Sequence, residues 1–307
     1  MELSETVSAI LPILLLILAG GVVARLPLLN DAGWAAIDRF VYFVLFPALL
    51  FRAIATADLG DLNIWPMGGA LILAAVIVAA IAAALKKPLK ADGPATTSLI
   101  QGSIRFNTYL GVAMAESLFG DLGLALTAVC VAFLVPSVNL TSVLALTIWG
   151  KGAKANLEGF FRALLANPLI LACLGGAAYR YTGLPLPDAV SESLSIAGDA
   201  ALAIGLIAVG AGLDFLALRG RGRLVLVSLV LKLALLPAVA FGTTTLLGVD
   251  GMPQVIGIFW LALPAAPSAY VLARAMGGDA PLIAACVTAQ LMGAILTLPI
   301  WLSWALG

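Results

Sequence analysis

The sequence predicts an all-α integral membrane protein. Its ten transmembrane helices form two inverted five-helix repeats, with interruptions in helices 4 and 9. Three observations predict this. The 307 residues are 63% hydrophobic and only 10% charged, with a mean hydropathy of +1.13, whereas a soluble domain carries about 25% charged residues. The apolar residues fall into stretches of about 20, the length that crosses a hydrocarbon core. One such stretch, Ile258 to Asp279, carries Pro264 and Pro267 in its middle.

In order, the spans are 6–25, 34–56, 65–85, 96–119, 122–149, 160–180, 190–213, 223–247, 252–276 and 280–305. The first follows Glu2 and Glu5 rather than a basic segment, and its apolar run is long, so it reads as a retained helix and not a cleaved signal peptide. The connections are too short for a soluble domain. Odd-numbered connections or their edges hold Arg25, Lys86, Lys87, Lys90, Lys151, Lys154, Arg162, Arg219, Arg221, Arg223 and Arg274. Even-numbered ones hold Asp58, Asp61, Asp121, Asp188 and Asp250, with Arg180 the basic exception. By the positive-inside rule the odd connections are cytoplasmic, which puts both termini outside the cytoplasmic (inner) membrane.

An offset of 158 residues carries Leu26-Pro27 onto Leu184-Pro185 and Gly120-Asp121 onto Gly278-Asp279. Residues 1–153 and 154–307 therefore read as two repeats, and five spans per repeat make the second inverted. Inverted repeats with interrupted helices at matching positions mark transporters whose substrate sits near the midplane.

The interruptions carry the chemistry. Each proline removes an N–H donor and crowds the carbonyl four residues back, at about 3 kcal/mol or more in a helix interior. Hydrocarbon cannot satisfy the freed groups, so broken backbone persists only inside protein or along a cavity. The competing reading is a kinked, structural helix, since proline is frequent in membrane helices. Span 4, the partner of span 9, has no proline, yet Arg105, Asn107, Thr108 and Gly111 sit in its middle. At the repeat offset Phe106 meets Pro264 and Tyr109 meets Pro267. Asn107 also reads as interhelical glue. An intramembrane arginine costs at least ~2.5–3.5 kcal/mol on insertion scales, which argues for function, with snorkelling to the surface as the alternative.

Further polar intrusions are Pro136 and Asn139 in span 5, and Thr288 and Gln290 in span 10. The candidate substrate-binding set is Asn107, Thr108, Arg105, Asn139, Pro264, Pro267, Ser268 and Gln290. Glu116, Asp199 and Lys232 are ionisable groups in apolar surroundings, with coupling or structural roles; Asp199 and Lys232 are a candidate pair. No histidine is present, and Cys130, Cys173 and Cys286 lie in apolar runs without paired spacing. Neither a metal site, a cofactor nor a disulfide framework is indicated. Sixteen basic residues balance sixteen acidic ones, so nothing points to nucleic acid. A membrane enzyme would need catalytic groups that these spans lack, and a sensor would need a signalling domain.

Several segments together resemble the auxin efflux carrier family, whose bacterial members are often regarded as malonate or other organic-acid permeases. They are Asn107-Thr-Tyr-Leu-Gly111, Asn167-Pro-Leu-Ile170, Lys232 ahead of Leu235-Leu-Pro237, and Pro264-Ala-Ala-Pro-Ser-Ala-Tyr-Val-Leu-Ala273 with Gly277-Gly-Asp279. The resemblance implies crossed helices 4 and 9, as in bile acid–sodium symporters. It also implies a transport part (helices 3–5 and 8–10) moving elevator-fashion against a scaffold (1, 2, 6 and 7) through which two copies dimerise. Two departures stand out: Ala113 where the family usually has proline, predicting a softer break in helix 4, and Ser268 where it often has asparagine. The expected function is secondary transport of a small organic anion across the bilayer. Half-helix N-termini suit a carboxylate, with Asn107, Thr108 and Ser268 as neutral partners and Arg105 adding charge. A sodium-coupled symporter is the alternative, drawing on Asn139, Thr288 and Gln290.

Overall fold

The computed structural model describes residues 3–57, 64–151, 162, 165–218 and 222–306, and the regular elements among them are all helical. In chain order these are α1 (Leu3–Val23), α2 (Asp31–Phe40), α3 (Phe46–Thr56), α4 (Ile64–Ala84), α5 (Lys86–Leu89), α6 (Gly93–Ile104) and α7 (Thr108–Trp149). They continue with α8 (Pro168–Tyr181), α9 (Asp188–Ala211), α10 (Gly222–Val230), α11 (Leu236–Leu246), α12 (Gly251–Ala262), α13 (Ser268–Met276) and α14 (Ala280–Leu306). Six helical runs among the described residues are long and apolar enough to cross a membrane: Ala32–Thr56, Ile64–Ala84, Gly93–Trp149, Asp188–Ala211, Gly222–Leu246 and Ala280–Leu306. The protein is thus a multi-pass helical membrane protein. The expected repeat boundary at 153/154 lies outside the described residues.

Proline shapes two of these runs. Between α2 and α3, and between α10 and α11, the helix widens into π turns at Val41–Leu45 and Leu231–Leu235. Each is followed two residues later by proline, Pro47 or Pro237. A proline cannot bond the carbonyl four residues back. For Pro237 that carbonyl belongs to Leu233, and the Trp301 indole N–H donates to it at 2.7 Å. Elsewhere the chain turns on glycine. Gly120 (φ 58°, ψ −148°) bends α7, and Gly277 (φ 73°) ends α13, so both Gly-Asp dipeptides of the 158-residue offset lie at or beside a helix turn. Only glycine tolerates such angles without strain.

The helices sort into two packed sets. α1, α2–α3, α8 and α9 pack on one another, closest where α1 meets α9. There a side chain on Gly20 would strike the Ile207 carbonyl, and one on Gly210 the Ile17 carbonyl. Small residues let membrane helices approach backbone to backbone in this way. The second set is α4, α6, α7 and α10 to α14. Its buried centre includes Trp260, Phe259, Met67, Leu71, Leu99, Ile104, Met114 and Leu124. The expected Asp199–Lys232 pair does not form: Asp199 is exposed on α9, in the first set, while Lys232 is buried in the second.

Candidate functional site at two broken helices

The second set contains two breaks, and they touch. α6 stops at Ile104; residues 105–107 are extended, and α7 starts at Thr108. α12 stops at Ala262, and α13 starts at Ser268 after Pro264 and Pro267. The Asn107 N–H donates to the Pro264 carbonyl at 2.8 Å, and the Phe106 and Trp260 rings meet edge-on. The break in α6–α7 forms without the family's proline, so Ala113 does not soften it. Neighbouring groups supply what proline would enforce. The Asn107 Oδ1 caps α7 by accepting from the Leu110 N–H, and the cross-helix bond replaces a helical one.

Gln290 of α14 ties the two breaks together. Its Oε1 accepts from the Ala265 N–H at 2.9 Å, while its Nε2 donates to the Gly102 carbonyl at 2.8 Å and the Ser228 hydroxyl at 2.9 Å. It is fully buried. Expected at the substrate, it instead satisfies broken backbone, which the sequence could not show. Thr288, two residues earlier on the helix, bonds the backbone of Asp214.

A cavity of about 840 Å³ lies against the breaks, between the two sets of helices. Arg105, Asn107, Thr108, Asn139, Pro267 and Ser268 line it, so it gathers six of the eight candidate residues; Pro264 and Gln290 lie behind its wall. Arg105 does not snorkel away. It donates to the Asn139 Oδ1 at 2.9 Å and to the Ser268 hydroxyl at 3.0 Å, bridging α7 and α13. A guanidinium carries five donors, so donors remain for a ligand. The Asn107 Nδ2 donates to no described protein group.

The electrostatics favour an anion at this floor. The N-termini of α7 and α13 open there, each carrying roughly half a positive charge, beside the full charge of Arg105. Asp38, Arg39 and Asp214 are exposed at the mouth. The lining includes Gly212 and Asp214, which follow the end of α9. Tyr42, Phe43, Tyr109 and Tyr270 give the walls aromatic surface, with Tyr109 stacked on Phe46 at 4.8 Å. Asp38, Arg39, Tyr42 and Phe43 join the candidate set here. Two adjacent charges inside span 2 were the available signal. Of the remaining candidates, Glu116 is half-buried on α7 between the break and the Gly120 bend, within electrostatic reach of Asp199 and Arg52.

Residues 6–302 match a family described as "Membrane transport protein". An uncharacterized transporter of Methanothermobacter thermautotrophicus is 25% identical over 301 residues, covering 95% of this chain and 96% of the relative. The match spans nearly the whole sequence, including both broken helices, and the chain belongs to the auxin efflux carrier family of membrane transport proteins.

Proposed function

We propose that this membrane transporter is a secondary carrier for a small organic anion, a carboxylate in the first instance. The observation that carries the reading is Arg105, held by Asn139 and Ser268 at the floor of the cavity where two broken helices meet. An arginine held by neutral hydroxyl and amide groups, with no carboxylate of the described residues bonded to it, keeps its charge for a ligand. Asn107 and Thr108 add neutral hydrogen-bonding groups that orient the anion without trapping it.

Ten spans form two inverted repeats, residues 1–153 and 154–307, in the cytoplasmic membrane with both termini outside. The set α1, α2–α3, α8 and α9 is the scaffold, through which two copies dimerise; the other set moves against it elevator-fashion. With the basic connections cytoplasmic, the cavity faces inward in this conformation. The division into two packed sets and the position of the cavity between them support this.

Uptake into proteoliposomes of a panel of carboxylates, with imposed proton or sodium gradients, tests the proposal. Saturable entry of at least one carboxylate above protein-free vesicles is expected. Entry of neutral or cationic solutes alone contradicts it.

A further inference from the structure

Beyond the cavity the two helix sets close on Tyr109, two residues past Asn107 on α7. Its ring stacks on Phe46 of α3, with centroids 4.8 Å apart and planes within 7°. A β carbon on Gly205 of α9 would touch both rings at 3.4 Å, so the helix meets the stack at that glycine. Tyr109 lines the cavity, and Phe46 lies fully buried behind it.

Three contacts set the register beyond the stack. Phe46 meets Gly205, and Leu49 reaches within 2.6 Å of where a β carbon of Gly198 would stand. The Arg52 Nε donates to the Ser191 hydroxyl at 3.4 Å. α3 and α9 are therefore antiparallel. The C-terminal end of α9 and the N-terminal end of α7 both border the cavity, so α7 leads away from it as α9 leads back. At 1.5 Å per residue, Glu116 lies about 10 Å beyond Tyr109, and Asp199 about 9 Å beyond Gly205. The two carboxylates share one level, where Glu116 is within electrostatic reach of Asp199, Arg52 and Asp121.

Asp199 is exposed at the middle of the 24-residue α9. Hydrocarbon is a costly surrounding for a carboxylate at that depth, and such groups face a bundle interior or water. Between this charged level and the stack, Leu49, Val112, Ala113 and Ala201 are apolar and buried. The seam between the two sets is thus charged at its far end and dry next to the cavity. We propose that the charged seam is the far aqueous approach to the site, and that Tyr109, stacked on Phe46 with Leu49 behind it, is the gate residue that parts it from the cavity. The inference rests on the carrier reading in taking the cavity as one of two entrances. Movement of the second helix set against the first then has to break the stack.

Two measurements on the full chain test this. Neither uses a substrate, so a failure of carboxylate uptake leaves both readable. The native cysteines are buried. Glu116→Cys, in sealed vesicles of either orientation, should therefore react with a charged, impermeant thiol reagent added on the face that bears Asp121. Reaction from the face that bears Lys87 should be slower or absent. Reconstituted Tyr109→Ala/Leu49→Ala should leak xylitol faster than wild type. Tyr109→Phe should stay as tight as wild type, since the ring and not the hydroxyl makes the seal. No reaction from the Asp121 face, or an equal or faster one from the Lys87 face, overturns the proposal, even where the double variant fails to fold. A folded double variant as tight as wild type overturns it too, and so does a Tyr109→Phe leak equal to that of the double variant.

Discussion

Arg105 and Asn107 divide the work at the floor of the cavity. Asn107 caps α7 through its oxygen and lines the cavity with an amide nitrogen that can donate to a ligand, so truncation removes both. A hydrogen bond to a charged partner contributes roughly 1.5–3 kcal/mol, and 1.4 kcal/mol is about a factor of ten in affinity. Asn107→Ala should weaken carboxylate binding by about ten- to a hundred-fold, measured by titration of the purified protein; unchanged affinity would place the ligand elsewhere. Gln290 predicts a different phenotype. Gln290→Ala leaves the Ala265 N–H and Gly102 carbonyl without partners inside the protein. An unsatisfied buried group costs about 1–3 kcal/mol, so the melting temperature should fall clearly, and a variant as stable as wild type would refute the tie.

At the scale of the helix, the two breaks hold each other open. Pro264→Ala/Pro267→Ala permits α12 and α13 to join, which withdraws the Pro264 carbonyl from the Asn107 N–H and the Ala265 N–H from Gln290. The double variant should fold and lose transport; one that folds and carries substrate normally makes the break a structural kink. These breaks were legible in the sequence because proline chemistry is local, and the polar run 105–108 marked the other. Less local features were not. The role of Gln290 depends on which carbonyls a break frees, and the separation of Asp199 from Lys232 depends on which set each helix joins. Span 2 is apolar on average, which masks Asp38 and Arg39 although both line the cavity.

At the scale of the whole molecule, orientation rests on loop charge and is directly testable. The native cysteines, Cys130, Cys173 and Cys286, are buried, so a single introduced cysteine reports its own exposure. Cysteines at Asp121 and Asp250 should label from outside intact cells and one at Lys87 should not; the reverse pattern would invert the cavity with respect to the membrane. The central claim is that the cavity between the two helix sets carries an organic anion by its charge. The most direct measurement compares proteoliposome uptake of one carboxylate with that of its neutral amide, for wild type and for Arg105→Gln. Wild type should prefer the carboxylate, and Arg105→Gln should lose about ten-fold or more of that preference. Equal carboxylate uptake by the two proteins, or no preference in wild type, would contradict the claim.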